Sequence, residues 1–521
     1  MESFTTFNDL LLRGAERWPD KTFLSWVDKD RSLTYAEAHI EALRTANALA
    51  SLGIVKGDRV GIFAHNGLDY VIAMFGAWQL GAISCHINLL QADELAYFAN
   101  DSTPKVLIYT HDMLPVLEQH RANLPSIEHY LCMDGAQPGA HDWPAMVAAA
   151  SPDLLKAQVA AVNADDAAHL SYTSGSSGRP KGAVVNHGYT ARATHCIAER
   201  LQLTPDDITL QPTSPASSMG LVANLLPGLH RGANVGLMSR WSAEKAWQEM
   251  DARGVTYAIG NPLLFAELIA ECESRGRAPG QLTRLVSGGA PVPPTLKQNF
   301  QALGVHLIES YGQSELGGFV ALGYPRAEPS ERVSAIGPCL PDKEVRVLNE
   351  KGDETAPGEA GELCIRGGFM NGYWQRAEKT AEVIRDGWLH TGDMGVMDPW
   401  GYITMLGRWS ERIVRRGEVL FPRAMEEALL EDASVRYAAV IGTPDAEAGQ
   451  LVKAIVMLQE EVSGSQADSK VTCESLLHAC RTKLADQPSP DLLEIIEEMP
   501  MTATGKIGRA ELQAREQNLA P

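Results

Sequence analysis

Short apolar runs alternate with stretches typical of helices along this 521-residue chain. Residues 59–64 and 105–109 have the length and composition of buried strands, and residues 70–80 between them are typical of a helix. Strands that alternate with helices indicate an α/β architecture with layered sheets. The chain shows no repeat with a period of roughly 20 to 50 residues, so a solenoid or propeller is not expected.

Length and charge narrow the classes of function. A chain of 521 residues has room for about three structural units with substantial cores. The 45 Lys and Arg residues stand against 65 Asp and Glu residues, which gives a formal net charge of −20. We therefore expect no nucleic-acid partner, and a polyanionic ligand must be bound by local donors and a cation rather than by a broad positive surface.

Cysteine usage and the absence of long apolar runs favour a cytoplasmic protein. The 8 cysteines are dispersed and form no Cys-x-x-Cys pair, so we expect reduced, mostly buried thiols. The N-terminus has neither a basic region nor a long apolar run. No segment reaches the roughly 18 uninterrupted apolar residues of a membrane helix, so no integral membrane segment is expected.

Residues 171–182, Ser-Tyr-Thr-Ser-Gly-Ser-Ser-Gly-Arg-Pro-Lys-Gly, combine hydroxyls, glycines and one lysine. Glycine lets successive backbone N–H groups turn inward and form a concave anion site, and a lysine adds a charge that suits phosphate. A flexible linker is the alternative for such a composition, but the runs 168–173 and 182–186 indicate strands on both sides. We predict a phosphate loop, distinct from the P-loop of common NTPases, that binds ATP through Thr173, Ser174, Gly175, Ser176, Ser177, Gly178 and Lys181.

Four further segments carry residue types suited to nucleotide chemistry. They are Ser-Gly-Gly-Ala-Pro at 287–291, Tyr-Gly-Gln-Ser-Glu at 311–315, the Thr-Gly-Asp and Gly-Arg elements within 388–408, and Pro-Met-Thr-Ala-Thr-Gly-Lys at 500–506. Together with the phosphate loop they resemble, in composition and in order, the signature segments of the adenylate-forming enzymes. That family includes acyl-CoA synthetases, adenylation domains of peptide synthetases and luciferases. Segments 33–37 and 56–60 also resemble segments of this family, so the resemblance covers essentially the whole chain.

The resemblance implies roles for individual residues around ATP. Tyr311 would lie near adenine, Ser314 would contact the α-phosphate, and Glu315 would hold Mg²⁺ together with Thr173. A hard cation prefers carboxylate and other oxygen ligands. Asp393 would bind the ribose hydroxyls with the help of Arg408. The other positions that the resemblance places along the nucleotide are Gly289, Ala290, Pro291, Ser310, Gly312 and Gln313.

Lys506 is the lysine that the family brings to the reacting carboxylate and the α-phosphate. A positioned ammonium stabilises the extra negative charge of the transition state more than that of the ground state. The catalytic residues implied are therefore Lys506, Glu315 and Ser314. Each motif residue has an ordinary alternative when it is taken alone, such as a solvated Glu or an Asp in a turn. The order of five segments favours the catalytic interpretation.

The resemblance also implies the domain organisation. We expect a large multi-subdomain N-terminal domain with layered sheets and helices over 1–407, a hinge at 408–410, and a small mobile α+β domain over 411–521. Rotation of the small domain would present Lys506 in one half-reaction and the loop 415–422 in the other. In that loop, Gly417 and Glu418 are assigned to CoA, because the family keeps a glycine beside the pantetheine tunnel.

Two positions, one in the hinge and one in the small domain, depart from the family pattern. Ser410 occupies a hinge position usually held by Asp or Lys. The sequence therefore does not determine the equilibrium between the two orientations of the small domain. Arg416 stands where a small residue is common. It would contact a CoA phosphate or be a solvated arginine.

The segment 211–220 departs from the aromatic-His pair of many acyl-CoA synthetases. It contains no Asp to pair with an α-amine, so an amino-acid substrate is disfavoured. The predicted walls of the acyl pocket are small or neutral, and they are Ser218, Met219, Asn261, Leu264, Ser287, Gly288 and Gly317. None is a Lys or Arg that would hold a second carboxylate. A monocarboxylic acid is therefore predicted, and the choice between an aliphatic and an aromatic tail stays open.

Together these features predict an ATP-dependent acid–CoA ligase with ATP, Mg²⁺ and coenzyme A as its small molecules. The acid would form acyl-AMP with release of pyrophosphate, and the CoA thiol would then displace AMP. A stand-alone adenylating enzyme that loads a separate acyl-carrier protein is the first alternative. A non-catalytic nucleotide-binding homologue is the second, and the presence of Lys506, Glu315 and Asp393 argues against it. A homodimer is left open.

Overall fold

The computed structural model describes residues 6–153, 161–173, 179–326, 335–432, 434–459, 471–502 and 507–519. The helices in these ranges are α1 (Phe7–Arg17), α2 (Tyr35–Ser51), α3 (Leu68–Gln79), α4 (Leu95–Ser102), α5 (Leu114–His120), α6 (Trp143–Ala149), α7 (His187–Arg200), α8 (Ser218–Gly220), α9 (Leu226–Arg231), α10 (Ala243–Arg253), α11 (Pro262–Arg275), α12 (Pro294–Ala302), α13 (Ala377–Val383), α14 (Arg423–Leu430), α15 (Cys473–Leu484) and α16 (Arg509–Leu519). A π-helical turn, Leu221–Leu225, joins α8 to α9.

The strands of the described residues form four sheets. In chain order they are β1 (Thr22–Trp26), β2 (Arg31–Thr34), β3 (Arg59–Phe63), β4 (Ile83–His86), β5 (Val106–Tyr109), β6 (His129–Cys132), β7 (His141–Asp142), β8 (Ala167–Thr173), β9 (Lys181–Asn186), β10 (Ile208–Gln211), β11 (Asn234–Leu237), β12 (Tyr257–Gly260) and β13 (Arg284–Gly288). They continue with β14 (His306–Gln313), β15 (Gly318–Leu322), β16 (Gly337–Pro338), β17 (Glu344–Leu348), β18 (Gly361–Arg366), β19 (Ile384–Arg385), β20 (Trp388–Met397), β21 (Tyr402–Arg408), β22 (Ile413–Arg415), β23 (Glu418–Leu420), β24 (Val435–Asp445), β25 (Gly449–Leu458) and β26 (Leu492–Ile496).

Two largely parallel sheets form the body of the large N-terminal domain. One has the order β7-β6-β5-β3-β4-β8-β9, and the other has the order β15-β14-β13-β12-β10-β11-β1-β2. Their central strands are buried, as expected for parallel strands covered by helices on both faces. The strands predicted at 59–64 and 105–109 are β3 and β5, and the helix predicted at 70–80 is α3. These predictions are confirmed.

Local sequence explains where some of these elements begin. At α2 the Thr34 hydroxyl accepts from the backbone N–H of Glu37, and the Glu37 carboxylate accepts from the Thr34 N–H. This reciprocal capping box satisfies two backbone donors that a helix start leaves unpaired. It gives a structural reason for the Leu-Thr-Tyr-Ala-Glu segment at 33–37. By contrast, α3 is buried along almost its whole length, and this fits its almost wholly apolar sequence.

The other two sheets are mainly antiparallel. The third has the order β16-β21-β20-β18-β17, with β19 beside β20. The fourth has the order β23-β22-β25-β24, with β26 parallel to β25, and packs with α14, α15 and α16 into a smaller C-terminal unit. The predicted fold class is therefore confirmed. A 3₁₀ turn at Trp409–Glu411 links β21 to β22, and the hinge at 408–410 stays a prediction.

A buried ion cluster ties the C-terminal unit to the strand that leads into the predicted site. Arg423 of α14 lies 2.7 Å from Glu309 of β14, and Lys297 of α12 lies 2.7 Å from the other oxygen of that carboxylate. Burial alone would raise the pKa of Glu309, but Lys297 and Arg423 hold it below its ordinary value. The cluster therefore fixes how α14 sits against β14.

All eight cysteines lie within the described residues and are free thiols, five of them buried and three half-buried. The expectation of mostly buried thiols is met. Among the described helices, none is long and apolar enough to cross a membrane.

Candidate active site

The two strands predicted on either side of the phosphate loop are β8 and β9, which pair antiparallel. Thr173 and Lys181 are opposite partners in this pair, so the two ends of the loop are held together. The Thr173 hydroxyl is buried and has no hydrogen-bond partner among the described residues. An unpaired buried hydroxyl is costly, so this one is suited to a ligand. The remaining loop residues, Ser174, Gly175, Ser176, Ser177 and Gly178, lie outside the described residues.

Tyr373 joins two of the predicted residues, Lys181 and Glu315. Its hydroxyl donates to Glu315 Oε1 at 2.7 Å, and Lys181 Nζ lies 4.7 Å from the centre of its ring. Burial, together with the Glu315 charge, raises the pKa of Tyr373 far above its ordinary value, so the phenol stays a neutral donor. The structure thus links the phosphate loop to the predicted metal ligand through a residue that the sequence analysis missed.

The segment that carries Tyr373 runs beside β9. The Val184 N–H donates to the Gly372 carbonyl at 2.9 Å, and the Trp374 N–H donates to the Gly182 carbonyl at 2.8 Å. The Met370 N–H also donates to the Glu315 carbonyl at 2.6 Å. The Gly-Tyr-Trp run at 372–374 was the available signal, since aromatic residues after glycine suit a strand-like edge, but its partner could not be read from the sequence.

The Asp393 carboxylate accepts two hydrogen bonds and forms one ion pair. Tyr311 Oη lies 2.9 Å and Gln313 Nε2 lies 2.6 Å from its Oδ2, and Arg408 Nε lies 3.1 Å from its Oδ1. Asp393 and Arg408 are also direct partners across β20 and β21. The cluster is well buried, with an exposed fraction of 5% for Asp393. The predicted adenine and ribose residues are therefore brought together.

Burial and neighbouring charges set the ionisation of two members of this cluster, Tyr311 and Arg408. Burial raises the pKa of Tyr311 well above its ordinary value, so it remains a neutral donor. Burial would lower the pKa of Arg408, but Asp393 and Glu411 raise it, so the guanidinium stays charged. Asp393 thus presents an oriented carboxylate of the kind that vicinal hydroxyls would bind.

Three serine hydroxyls from different elements form a short chain. Ser171 Oγ of β8 lies 3.2 Å from Ser218 Oγ at the start of α8, and Ser218 Oγ lies 2.9 Å from Ser314 Oγ. Ser314 directly follows β14, so this contact places the predicted acyl-pocket serine beside the predicted α-phosphate residue. A narrow cavity lies around these three hydroxyls. Its walls are His169, Ser171, Val185, Ala216, Ser218, Leu221, Val222, Ser314, Gly317 and Gly318.

His169 is a buried member of this wall that the sequence analysis did not single out. Burial lowers its pKa to about 4, and its two ring nitrogens contact Ser84 Oγ at 2.9 Å and the Ala216 carbonyl at 3.0 Å. The imidazole is therefore neutral at physiological pH. The one sequence signal for His169 is its place in the strand-like run that leads into the phosphate loop.

The other predicted pocket and nucleotide residues lie at the ends of neighbouring strands. Ser287 and Gly288 end β13, Ser310 and Gly312 lie in β14, and Ser310 Oγ donates to the Ser287 carbonyl at 2.9 Å. The Met219 methyl lies 3.4 Å from where a Cβ on Gly288 would stand. The loop that follows β13 contains Gly289, Ala290 and Pro291.

Asn261 and Leu264 meet each other at the start of α11. The Asn261 side chain accepts from the Leu264 N–H at 2.9 Å and caps the helix. This contact gives Asn261 a structural role, and the place of both residues in the acyl pocket stays a prediction.

Gly417 lies in the turn of the β22–β23 hairpin. Arg415 and Glu418 are paired across the hairpin, and the two residues between them have φ of +53° for Arg416 and +82° for Gly417. Two positive φ values define the tight turn that best matches strand twist, which favours glycine. A Cβ on Gly417 would meet nothing within 4 Å, so the backbone conformation, rather than crowding, favours glycine in this arrangement. Lys506 lies outside the described residues.

Gly317 is the position in the site where a larger residue is expected to cost most stability. Its φ is +56°, and a Cβ there would overlap the ring of Tyr189. We expect Gly317→Ala to lower the free energy of unfolding by about 2–4 kcal/mol, from the left-handed backbone and from overpacking together. Urea unfolding measures this change.

Gly276→Ala is the matched control for Gly317→Ala, because Gly276 has φ +69° and a Cβ there would meet nothing within 4 Å. It should cost only the backbone part, about 1–2 kcal/mol. Equal losses in the two variants would contradict the overlap with Tyr189.

Comparisons with known proteins identify the family of this chain. The AMP-binding enzyme family model matches residues 11–374, and the AMP-binding enzyme C-terminal domain model matches residues 424–506. The chain belongs to the AMP-binding enzyme family, and the resemblance stated from its motifs is confirmed.

Individual relatives cover nearly the whole chain. A feruloyl-CoA synthase from Amycolatopsis sp is 33% identical over 488 residues, which is 93% of this chain and 94% of that protein. The mitochondrial medium-chain acyl-CoA ligase ACSF2 of Mus musculus is 27% identical, over 99% of this chain and 88% of its own length. The crystal structure of the anthranilate CoA ligase AuaEII with anthranoyl-AMP superposes with a TM-score of 0.89 at 27% identity, covering 99% of this chain and 98% of that one.

Proposed function

We propose that this protein is an AMP-forming acid–CoA ligase that activates a monocarboxylic acid. The predicted enzyme class, an acid–thiol ligase, is confirmed by relatives named as CoA synthases and ligases. One observation carries the assignment of the site. The run 311–315 contacts Asp393 through Tyr311 and Gln313, contacts Ser218 through Ser314, and reaches Lys181 through Glu315 and Tyr373.

The geometry supports a division of labour along this run. Asp393 accepts hydrogen bonds from the ribose hydroxyls. Thr173 and Lys181 bind the two phosphates that leave as pyrophosphate. The acid lies by the serine chain, where Ser314 and Ser218 orient its carboxylate toward the α-phosphorus. Holding two reactants in line lowers the activation free energy, because the entropy of bringing separate molecules together has already been lost on binding.

The two half-reactions then follow. A carboxylate oxygen bonds to the α-phosphorus as the bond to pyrophosphate breaks, and Lys506 stabilises the added negative charge. In the second step the CoA sulfur bonds to the acyl carbon, the thiol proton leaves to solvent, and AMP departs. The hairpin that contains Gly417 and Glu418 is proposed to line the path of CoA.

The predicted cation ligands fit Mg²⁺ by their chemistry. Glu315 supplies carboxylate oxygen, and Thr173 supplies a buried hydroxyl without a hydrogen-bond partner among the described residues. Both are the hard oxygen donors that Mg²⁺ prefers. When bound, the cation offsets the charge of the ATP phosphates. Tyr373 orients Glu315 for this role.

The lining of the narrow gap beside the serine chain, which has an accessible volume of about 10 Å³, suits an uncharged acyl tail. Its walls include no Lys or Arg, and His169 is neutral because burial lowers its pKa to about 4. A second carboxylate would therefore be buried without a counter-charge, which is costly. We favour an aromatic acid, since the 33% identical relative is named for a feruloyl group and the AuaEII structure for anthranilate. A cytoplasmic location and a homodimer stay predictions.

The decisive test is pyrophosphate release from Mg·ATP with a panel of aromatic and aliphatic acids, with and without CoA. Release that requires one acid class and yields its CoA thioester would support the proposal. Acyl-AMP that forms but is passed only to an added acyl-carrier protein would move the assignment to a carrier-loading enzyme. ATP binding without release for any acid would overturn the proposal.

Removing the Tyr373 hydroxyl tests the contact with Glu315. A hydrogen bond to a charged group is worth about 1.5–3 kcal/mol, so Tyr373→Phe should lower kcat/KM for ATP by about tenfold or more. We also expect a higher Mg²⁺ concentration for half-maximal pyrophosphate release. Tyr324→Phe is the matched control, because this half-buried tyrosine lies against Arg200 away from the site. An unchanged Mg²⁺ requirement in Tyr373→Phe would refute the orienting role.

A further inference from the structure

Glu362, Cys364 and His390 bring three different metal-ligating side chains to one point of the third sheet. They lie on the adjacent strands β18 and β20, where Cys364 and His390 are direct partners. The Cys364 sulfur lies 3.3 Å and Glu362 Oε2 lies 2.9 Å from the same atom, His390 Nδ1. All three ligand atoms lie within 4.8 Å of one another.

Without a cation, hydrogen bonds to one carboxylate hold the three side chains together. His390 Nδ1 can donate to Glu362, and the Cys364 thiol also hydrogen-bonds to Glu362. A cation at the same point would be bound by a lone pair from each of the three atoms at once. Sulfur, nitrogen and oxygen ligands together are the donor set of Zn²⁺ and of its close relatives.

Two of the three spacings between ligand atoms also fit, and the third, between Cys364 and Glu362, lies within 4.8 Å. Zn–S and Zn–N bonds of about 2.3 and 2.0–2.1 Å put tetrahedral ligands roughly 3.3–3.6 Å apart. The present 3.3 and 2.9 Å contacts would therefore open by only a few tenths of an ångström. The Glu362 and His390 side chains are 27% and 17% exposed, so an ion and a water ligand can reach the point from solvent.

We propose that Glu362, Cys364 and His390 form a binding site for one divalent cation of the Zn²⁺ type. The Cys364 thiol gives its proton to solvent when the cation binds. This site is separate from the Mg²⁺ ligands proposed above, and it does not depend on the proposed function.

The position of the site gives it a consequence for the nucleotide site. β18 and β20 contain a bulge between Glu362 and Cys364, and the residues opposite the bulge lead into Asp393. Thr391 Oγ1 donates to the Leu363 carbonyl at 2.7 Å, and the Gly392 N–H donates to Glu362 Oε1 at 3.0 Å. A cation on Oε2 leaves this last bond in place. Cation binding therefore fixes the bulge that presents Asp393.

Co²⁺ titration of the reduced, untagged, metal-free protein tests the proposal, because a thiolate ligand gives Co²⁺ a charge-transfer band that needs no enzyme assay. We expect one Co²⁺ per chain, displacement by Zn²⁺, and a thermal midpoint that rises until the site is full. Cys364→Ser should abolish the band. Cys196→Ser, at a half-buried thiol outside this cluster, should retain it.

Glu362→Gln separates a loss of cation binding from a folding defect. Its amide oxygen can still accept the hydrogen bond from the Gly392 N–H, but it binds a cation poorly. We expect this variant to melt near the wild-type temperature without metal and to bind Co²⁺ at least about tenfold more weakly. A wild-type protein without a saturable band, or a band of equal strength in Cys364→Ser, would overturn the proposal and leave a hydrogen-bonded cluster.

Discussion

Acyl-adenylate formation by the Lys506→Ala variant is expected to be about 100- to 1,000-fold slower than in the wild type. The resemblance of the Pro-Met-Thr-Ala-Thr-Gly-Lys segment at 500–506 to the family's ending implies that this lysine acts at the crowded, negatively charged phosphorus of the first half-reaction. Since the charge develops only in the transition state, the loss should appear in kcat more than in the KM for ATP. Acid-dependent pyrophosphate release measures it.

A second measurement separates the two half-reactions. Transfer of the acyl group from synthetic acyl-AMP to CoA should stay close to wild type in Lys506→Ala, because that step does not form a bond at phosphorus. Lys483→Ala is the matched control in the same domain, since Lys483 pairs with Glu431 at the surface. Equal slowing of both half-reactions would point to a folding or docking defect and contradict the assigned role.

Asp393→Asn is expected to raise the KM for ATP by about 10- to 100-fold, the effect of losing hydrogen bonds to a charged acceptor. All three neighbours of Asp393 in the structure are donors, namely Tyr311, Gln313 and Arg408. An asparagine amide would turn its own N–H₂ toward at least one of them and would weaken the acceptor for ribose. Steady-state kinetics with ATP varied measures the change, and the KM for the acid should move little.

Asp386→Asn provides the control for this charge change. Asp386 is exposed in the β19–β20 hairpin of the same sheet, and its φ of +51° is one that asparagine tolerates. It should bind ATP as the wild type does. A folded Asp393→Asn variant with an unchanged KM for ATP would refute the role in ribose binding.

Local signals in the sequence were sufficient for the fold class and for several individual elements. The strands β3, β5, β8 and β9 and the helix α3 were predictable because each is a short apolar run of characteristic length, bounded by glycine or polar residues. The motif run at 311–315 was recognisable because the chemistry of phosphate and cation binding restricts residue types and spacing. Such constraints act within a few neighbouring residues, so they can be recognised from the sequence alone.

Contacts between distant segments were not predictable in this way. Tyr373 orients Glu315 from 58 positions away, and Ser171 reaches Ser314 through Ser218. The residues around Tyr373 and His169 indicate strand-like segments, but they do not show which distant residues the two side chains contact. Their roles depend on which strands become neighbours.

The sequence by itself determined the family, the order of the secondary structure elements in its clearest segments, and the class of chemistry, because these depend on local composition and motif spacing. Only the tertiary structure decided the hydrogen-bonded state of Asp393, the neutral wall at His169 and the meeting of Glu362, Cys364 and His390. Those features arise when sheet register sets side chains from separate strands within a few ångströms of each other. Register is a property of the packed chain and cannot be read from any one segment of it.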